Sequence, residues 1–91
     1  MTREEIMERL EHDGTVLDLD GTSVSDAGLA HLAGLTGLRW LYLYSTSVSD
    51  AGLAHLAGLT GLQWLYLSDT GVTDAGVAAF RAAHPGCEVY K

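Results

Sequence analysis

Residues 22 to 45 and 46 to 69 of this 91-residue chain match at 21 of 24 positions, and residues 70 to 91 begin a third, degraded copy. Self-similarity at a period between about 20 and 50 residues marks a stacked repeat, in which each unit buries its apolar face against the next. Stacking also answers a size problem. A compact globule of this length hides only roughly 60 to 65% of its unfolded surface, so a single conventional core would be thin. The chain reads as one repeat domain over residues 1–91, with an N-terminal helical cap over 1–14, repeats over 15–69, and a degenerate repeat with a C-terminal cap over 70–91.

Within each copy the string SVSDAGLAHLAGLTGL precedes a short run, Trp40 to Leu43 and then Trp64 to Leu67. The first part predicts a helix and the second a strand. Ser25, Ser49 and Thr73 stand where N-cap oxygens accept from orphan helix amides, and Asp26, Asp50 and Asp74 follow one residue inside, where the helix dipole favours negative charge. Leu29 and Leu32, Leu53 and Leu56, and Val77 and Phe80 are each three apart, which predicts one inward stripe per helix. Gly28, Gly52 and Gly76 recur although glycine weakens a helix by about 1 kcal/mol relative to alanine, which points to close backbone packing between neighbouring units. Leu41, Leu43, Leu65 and Leu67 alternate with Trp40, Tyr42, Trp64 and Tyr66, so leucines face one side of a strand and rings the other. Leu17 and Leu19 keep this register one period earlier, and Cys87 and Val89 give a fourth inward pair. Strand, helix and strand at fixed spacing predict a parallel sheet with equivalent right-handed crossovers and all helices on one side.

The pattern LxxLxLxxTxV, legible in Leu38, Leu41, Leu43, Thr46 and Val48 and again in Leu62, Leu65, Leu67, Thr70 and Val72, resembles the leucine-rich repeat family over residues 15 to 90. Thr stands where the family pattern more often has Asn or Cys, and the helix start resembles the TDAGL-type repeats of cysteine-containing and bacterial members. The resemblance implies an α/β fold: a right-handed leucine-rich repeat solenoid with a four-strand parallel sheet on the concave side, helices on the convex side and a capping N-terminal helix. It also implies a protein partner on the concave face, and it brings no common catalytic residues. At the upstream end, Thr2 and Glu5 form a capping-box pattern, and Ile6, Met7 and Leu10 offer a narrow apolar stripe suited to a lid. Downstream, Pro85 stops the helix, Glu88 to Tyr90 forms a terminal strand with a free edge, and Lys91 beside it either guards that edge or is passive.

All six Trp and Tyr residues fall on strand positions facing away from the leucine core. In register they form three columns: Val16, Trp40, Trp64, Glu88; Asp18, Tyr42, Tyr66, Tyr90; and Asp20, Tyr44, Ser68. Parallel strands about 4.8 Å apart would stack these rings into a ladder. Clustered Trp and Tyr predict a binding surface, anchored by Trp40, Tyr42, Tyr44, Trp64, Tyr66 and Tyr90. Asp18, Asp20 and Glu88 add negative charge, which suits a protein partner that is basic around an apolar centre, or a second copy meeting face to face as a homodimer. The same ladder suits a glycan or small ligand, near-identical repeats suit a self-assembling scaffold, and the plainest reading is a ladder that stabilises the sheet alone.

Other classes fit poorly. A net charge of −7 with one lysine argues against nucleic acid and anionic membranes, which need clustered Lys and Arg. No apolar run approaches the ~20 residues that cross a bilayer, and MTREEIMERL does not read as a signal peptide, so a cytoplasmic location is expected. Cys87 is the only cysteine, which excludes an internal disulfide and a cysteine-cluster zinc site. Asp18 to Thr22 spells DLDGT, resembling the nucleophile loop of haloacid-dehalogenase-type phosphatases, yet Leu17, Leu19 and Thr22 are the repeat's own Leu41, Leu43 and Thr46. His31 and His55 are expected singly on the convex surface rather than around a metal. His84 and Cys87 have the look of a base and a thiol, but the register sends Cys87 into the core. No nucleophile, base and oxyanion donor converge, so no enzyme, cofactor or metal site is expected.

Overall fold

The structure, a computed structural model, describes residues 1–91. Alternation of apolar and aromatic residues yields four three-residue strands, β1 (Val16–Asp18), β2 (Trp40–Tyr42), β3 (Trp64–Tyr66) and β4 (Glu88–Tyr90). They form one parallel sheet in the order β1-β2-β3-β4. The register is the repeat itself, with Leu17 opposite Leu41, Leu41 opposite Leu65, and Leu65 opposite Val89. Each of these central residues is buried, and burying such a side chain contributes about 1.5 to 3 kcal/mol. Helices α1 (Arg3–Glu8), α2 (Asp26–Leu29), α3 (Asp50–Leu53) and α4 (Asp74–Ala83) complete the α/β repeat solenoid. One continuous core of 21 buried residues runs between sheet and helices. No helix is long and apolar enough to cross a membrane.

Pairing outlasts the formal strands, because Leu19, Leu43 and Leu67 donate to the carbonyls of Tyr42, Tyr66 and Tyr90 at 2.9, 2.9 and 2.6 Å, and Gly21 and Ser45 donate to those of Tyr44 and Ser68 at 2.8 and 3.0 Å. The chain then turns through a left-handed residue, Gly21 at φ 68°, Ser45 at φ 54° and Asp69 at φ 56°. Only glycine adopts that conformation freely, so Ser45 and Asp69 hold local strain. Three threonines close this turn: Thr22, Thr46 and Thr70 donate to the carbonyls of Leu19, Leu43 and Leu67 at 2.7, 2.8 and 2.7 Å.

α2 and α3 are four residues long and tighten into 3-10 turns over Ala30–Leu32 and Ala54–Leu56. α4 runs ten residues, because Ala82 replaces the glycine of the first two copies and Pro85 comes later. The expected serine N-caps are corrected by the structure. The Ser25 and Ser49 side chains accept no helix amide, and only Thr73 does so, from Gly76 N at 3.1 Å. Ser49 instead gives its amide and hydroxyl to the two oxygens of Asp26, at 2.7 and 2.6 Å. Thr73 repeats the arrangement on Asp50 at 2.8 and 2.6 Å. Each aspartate therefore ties its copy to the next through charge-assisted bonds. The glycine expectation changes with it: a Cβ at Gly52 or Gly76 would collide with the carboxylate of Asp26 or Asp50, so the glycines admit a side chain rather than a neighbouring backbone.

At the upstream end Thr2 and Glu5 exchange both capping-box bonds, at 2.8 and 3.2 Å. Ile6 is fully buried, and Met7 and Leu10 pack against the core. Leu10 bridges antiparallel to Leu17, and Glu11 N donates to Val16 O at 2.8 Å. Downstream, Arg81 Nη2 rather than Lys91 meets the terminal strand, donating to Val89 O at 2.6 Å. The Lys91 Nζ is drawn away to Asp74 Oδ1 at 2.6 Å, because Asp74 is the third copy's version of the tying carboxylate.

Candidate concave aromatic face

Strand alternation carries the aromatic residues to the sheet face opposite the core, and the parallel register sets their rings one above another. Trp40 and Trp64 stack with centroids 4.6 Å apart and planes 6° apart. Tyr42 and Tyr66 follow at 4.7 Å and 2°, and Tyr66 and Tyr90 at 5.1 Å and 12°. Such pairs contribute about 0.5 to 1.5 kcal/mol beyond the area they bury. Tyr44 stands apart from the ladder. β2 ends at Tyr42, Tyr44 has Asp20 and Ser68 as column neighbours, and its amide donates to Asp20 Oδ1 at 2.7 Å.

Stacking decides what the face offers. Neighbouring rings cover each other's faces, so Trp40, Tyr42, Trp64 and Tyr66 are half-buried, whereas Tyr44 and Tyr90 remain 50% and 44% exposed. No buried side-chain polar atom lacks a partner, so the indole N–H and phenol groups of the ladder lie at its accessible rim. Tyr90 turns its hydroxyl inward along the chain, donating to Glu88 Oε2 at 2.5 Å.

Asp18, Asp20 and Glu88 are exposed on the same columns. Asp18 Oδ1 accepts from Asp20 N at 3.0 Å, so the DLDGT segment is the repeat's turn, tied by its own carboxylates. A further carboxylate, Asp69, accepts from Ser45 Oγ at 2.6 Å. Burial, then Tyr66, Asp18 and Asp20, pushes the Tyr42 phenol above its ordinary range. The hydrogen bond to Glu88 does the same for Tyr90. Both therefore remain hydrogen-bond donors at neutral pH.

The remaining motifs disperse. His31 and His55 are each exposed on the helical side. Cys87 is buried, and burial followed by the Glu88 charge pushes its thiol up, which makes it a poor nucleophile. His84 stacks on Phe80 at 4.2 Å and 10°, and its ring nitrogens face the carbonyls of Phe80 and Ala57 at 3.3 and 3.1 Å. One concavity went unread in the sequence: a cleft of about 400 Å³ between the loops entering β3 and β4, with Arg39, Gln63 and His84 in its walls. Its signal was present, because Arg39/Gln63 is one of only three positions at which the first two copies differ.

Among solved structures the chain is similar to an LRR protein of Leptospira interrogans, with a TM-score of 0.62 at 17% sequence identity over 85% of this chain. The similarity spans 25% of that protein's length. No family model and no curated protein matches the chain. The likeness shows a leucine-rich repeat fold.

Proposed function

We propose that this chain is a non-enzymatic protein-binding module that holds a basic, partly apolar protein segment against its concave sheet. The observation that carries this reading is the pair of stacked ring columns, whose rims present aligned N–H and O–H groups beside Asp18, Asp20 and Glu88. Trp and Tyr are the side chains most often found as interface anchors, and an acidic setting favours Arg or Lys in the partner. In this reading the crossovers are right-handed, residues 1–91 act as one domain, TDAGL-type units form the stack, and α1 is its lid. The unpaired, buried Cys87 suits a reducing cytoplasmic setting. Glycan binding is less well supported, because sugars pack on ring faces and the ladder has already covered most of them.

The test is selection from a displayed peptide library, followed by affinity measurement with Trp40→Ala combined with Trp64→Ala. Selected peptides carry Arg or Lys around apolar residues. Loss of two anchors weakens binding by about 700-fold, since each contributes about 2 kcal/mol and a tenfold change is about 1.4 kcal/mol. Unchanged affinity in a double variant with native circular dichroism overturns the proposal.

A further inference from the structure

We propose a second ligand site, independent of the concave face: the cleft between the loops entering β3 and β4 binds a small oxyanion, a carboxylate or phosphate group, through Arg39. Its volume of about 400 Å³ falls within the roughly 300 to 1,000 Å³ of small-ligand pockets. The chain has twelve acidic residues, yet none lines this cleft. That makes it a place where an anion meets a cation without a competing carboxylate.

The guanidinium is held in position. Arg39 Nη1 donates to Gly61 O at 3.0 Å, and a Cβ on Gly61 would stand 2.9 Å from the same nitrogen. Glycine thus allows the arginine to lie against the wall. Nη1 is the only guanidinium nitrogen bonded within the chain, which leaves Nη2 and Nε as donors, and a planar guanidinium matches carboxylate or phosphate oxygens. The amides of Thr60, Gly61 and Gly86, all in the cleft wall, donate to no backbone oxygen. These amides add further donors around the same space.

Repetition sharpens the assignment. Stacking requires alike units, and the first two copies differ only at Arg39/Gln63, Tyr44/Ser68 and Ser45/Asp69. The last two pairs lie at the rim of the concave face. The first lies here, where the third copy also abandons Thr-Gly-Leu for His84, Pro85 and Gly86. Both departures line the cleft, Arg39 from the loop entering β2 and His84, Pro85 and Gly86 from the loop entering β4.

The test is amide NMR of the intact chain titrated separately with inorganic phosphate and acetate, against chloride at matched ionic strength. Saturable shifts are expected at Thr60, Gly61, Gly86 and the Arg39 side chain. Arg39→Gln, which installs the residue used at the same place in the next copy and therefore suits the fold, weakens binding by about tenfold or more. Arg9→Gln leaves it unchanged. Saturation by phosphate alone assigns a tetrahedral oxyanion, and saturation by both assigns oxyanions in general. Shifts that only grow linearly with concentration, or an Arg39→Gln protein that titrates like the parent, overturn the site.

Discussion

Upstream of β1 the chain adds new material, whereas downstream of β3 it rewrites the repeat. α1 brings a fully buried Ile6 against the first unit, near Gly28, and Leu10 and Glu11 run antiparallel along β1. The third copy gains no extra element. It lengthens its helix, substitutes Phe80 for leucine, and reaches across with Arg81 to Val89 O and with Lys91 to Asp74. The charge follows this division: residues 70–91 hold Asp74, Glu88, Arg81 and Lys91 and are neutral, so the whole −7 lies on residues 1–69. The first unit is thus packed by apolar volume from outside the repeat, and the third copy is crossed by long polar side chains grown within it.

The contrast breaks most readily at its apolar parts. Phe80→Ala is expected to cost about 3 to 5 kcal/mol and Ile6→Ala about 2 to 5 kcal/mol, both read from urea unfolding. Hydrogen exchange locates the damage: Ile6→Ala accelerates amides of β1 first, and Phe80→Ala those of β4. If either variant loosens all strands equally, the two ends are not separable.

A smaller effect comes from acid. The Thr73 hydroxyl, then its amide, holds the Asp50 carboxyl below its ordinary value, and Lys91 does the same for Asp74. A carboxyl depressed by folding adds stability that is fully present above its unfolded pKa of about 3.9 and is lost as pH falls through the folded value. The urea midpoint should therefore drop below about pH 4, and Asp50→Asn should lower it at neutral pH while flattening that drop. Salt separates the pair, because the exposed Lys91–Asp74 contact is screened and the hydrogen-bonded Asp50–Thr73 joint is not.

The smallest effect is at the sheet edge. Arg81→Ala removes one hydrogen bond, about 0.5 to 1.5 kcal/mol, and uncovers the Val89 carbonyl. The variant should associate as concentration rises, detected by light scattering, because an open strand edge is a template for another. A monodisperse variant would mean that Arg81 is dispensable there.

Strands and register were legible because two periodicities coincide, the two-residue alternation in Trp-Leu-Tyr-Leu and the 24-residue repeat. Together they placed Leu17, Leu41, Leu65 and Val89 inward and stacked the columns of Trp40 and Tyr42. The inward Cys87 and the capping box at Thr2 followed from equally local patterns. What stayed hidden depends on meetings between copies. A serine before Asp-Ala-Gly looks like a helix cap, and nothing local says that Ser49 will bind Asp26 of the previous unit instead. Lys91 lost the edge to Arg81 for the same kind of reason: the competing carboxylate of Asp74 is 17 residues away. Tyr44 stays out of the ladder for a reason its column already showed, because its neighbours Asp20 and Ser68 carry no ring to stack on. The Arg39 cleft needed both a departure from the repeat and knowledge of which loops adjoin.

The Trp40–Trp64 pair gives the molecule an optical consequence. Two indoles held face to face 4.6 Å apart with planes 6° from parallel share their ultraviolet excitation, so their side-by-side transition moments move the absorption to shorter wavelength and weaken it. Slipping β3 by one residue against β2 would send one indole to the opposite side of the sheet and erase that change. Alignment of the central strands is therefore written into the ultraviolet absorption, without any added label.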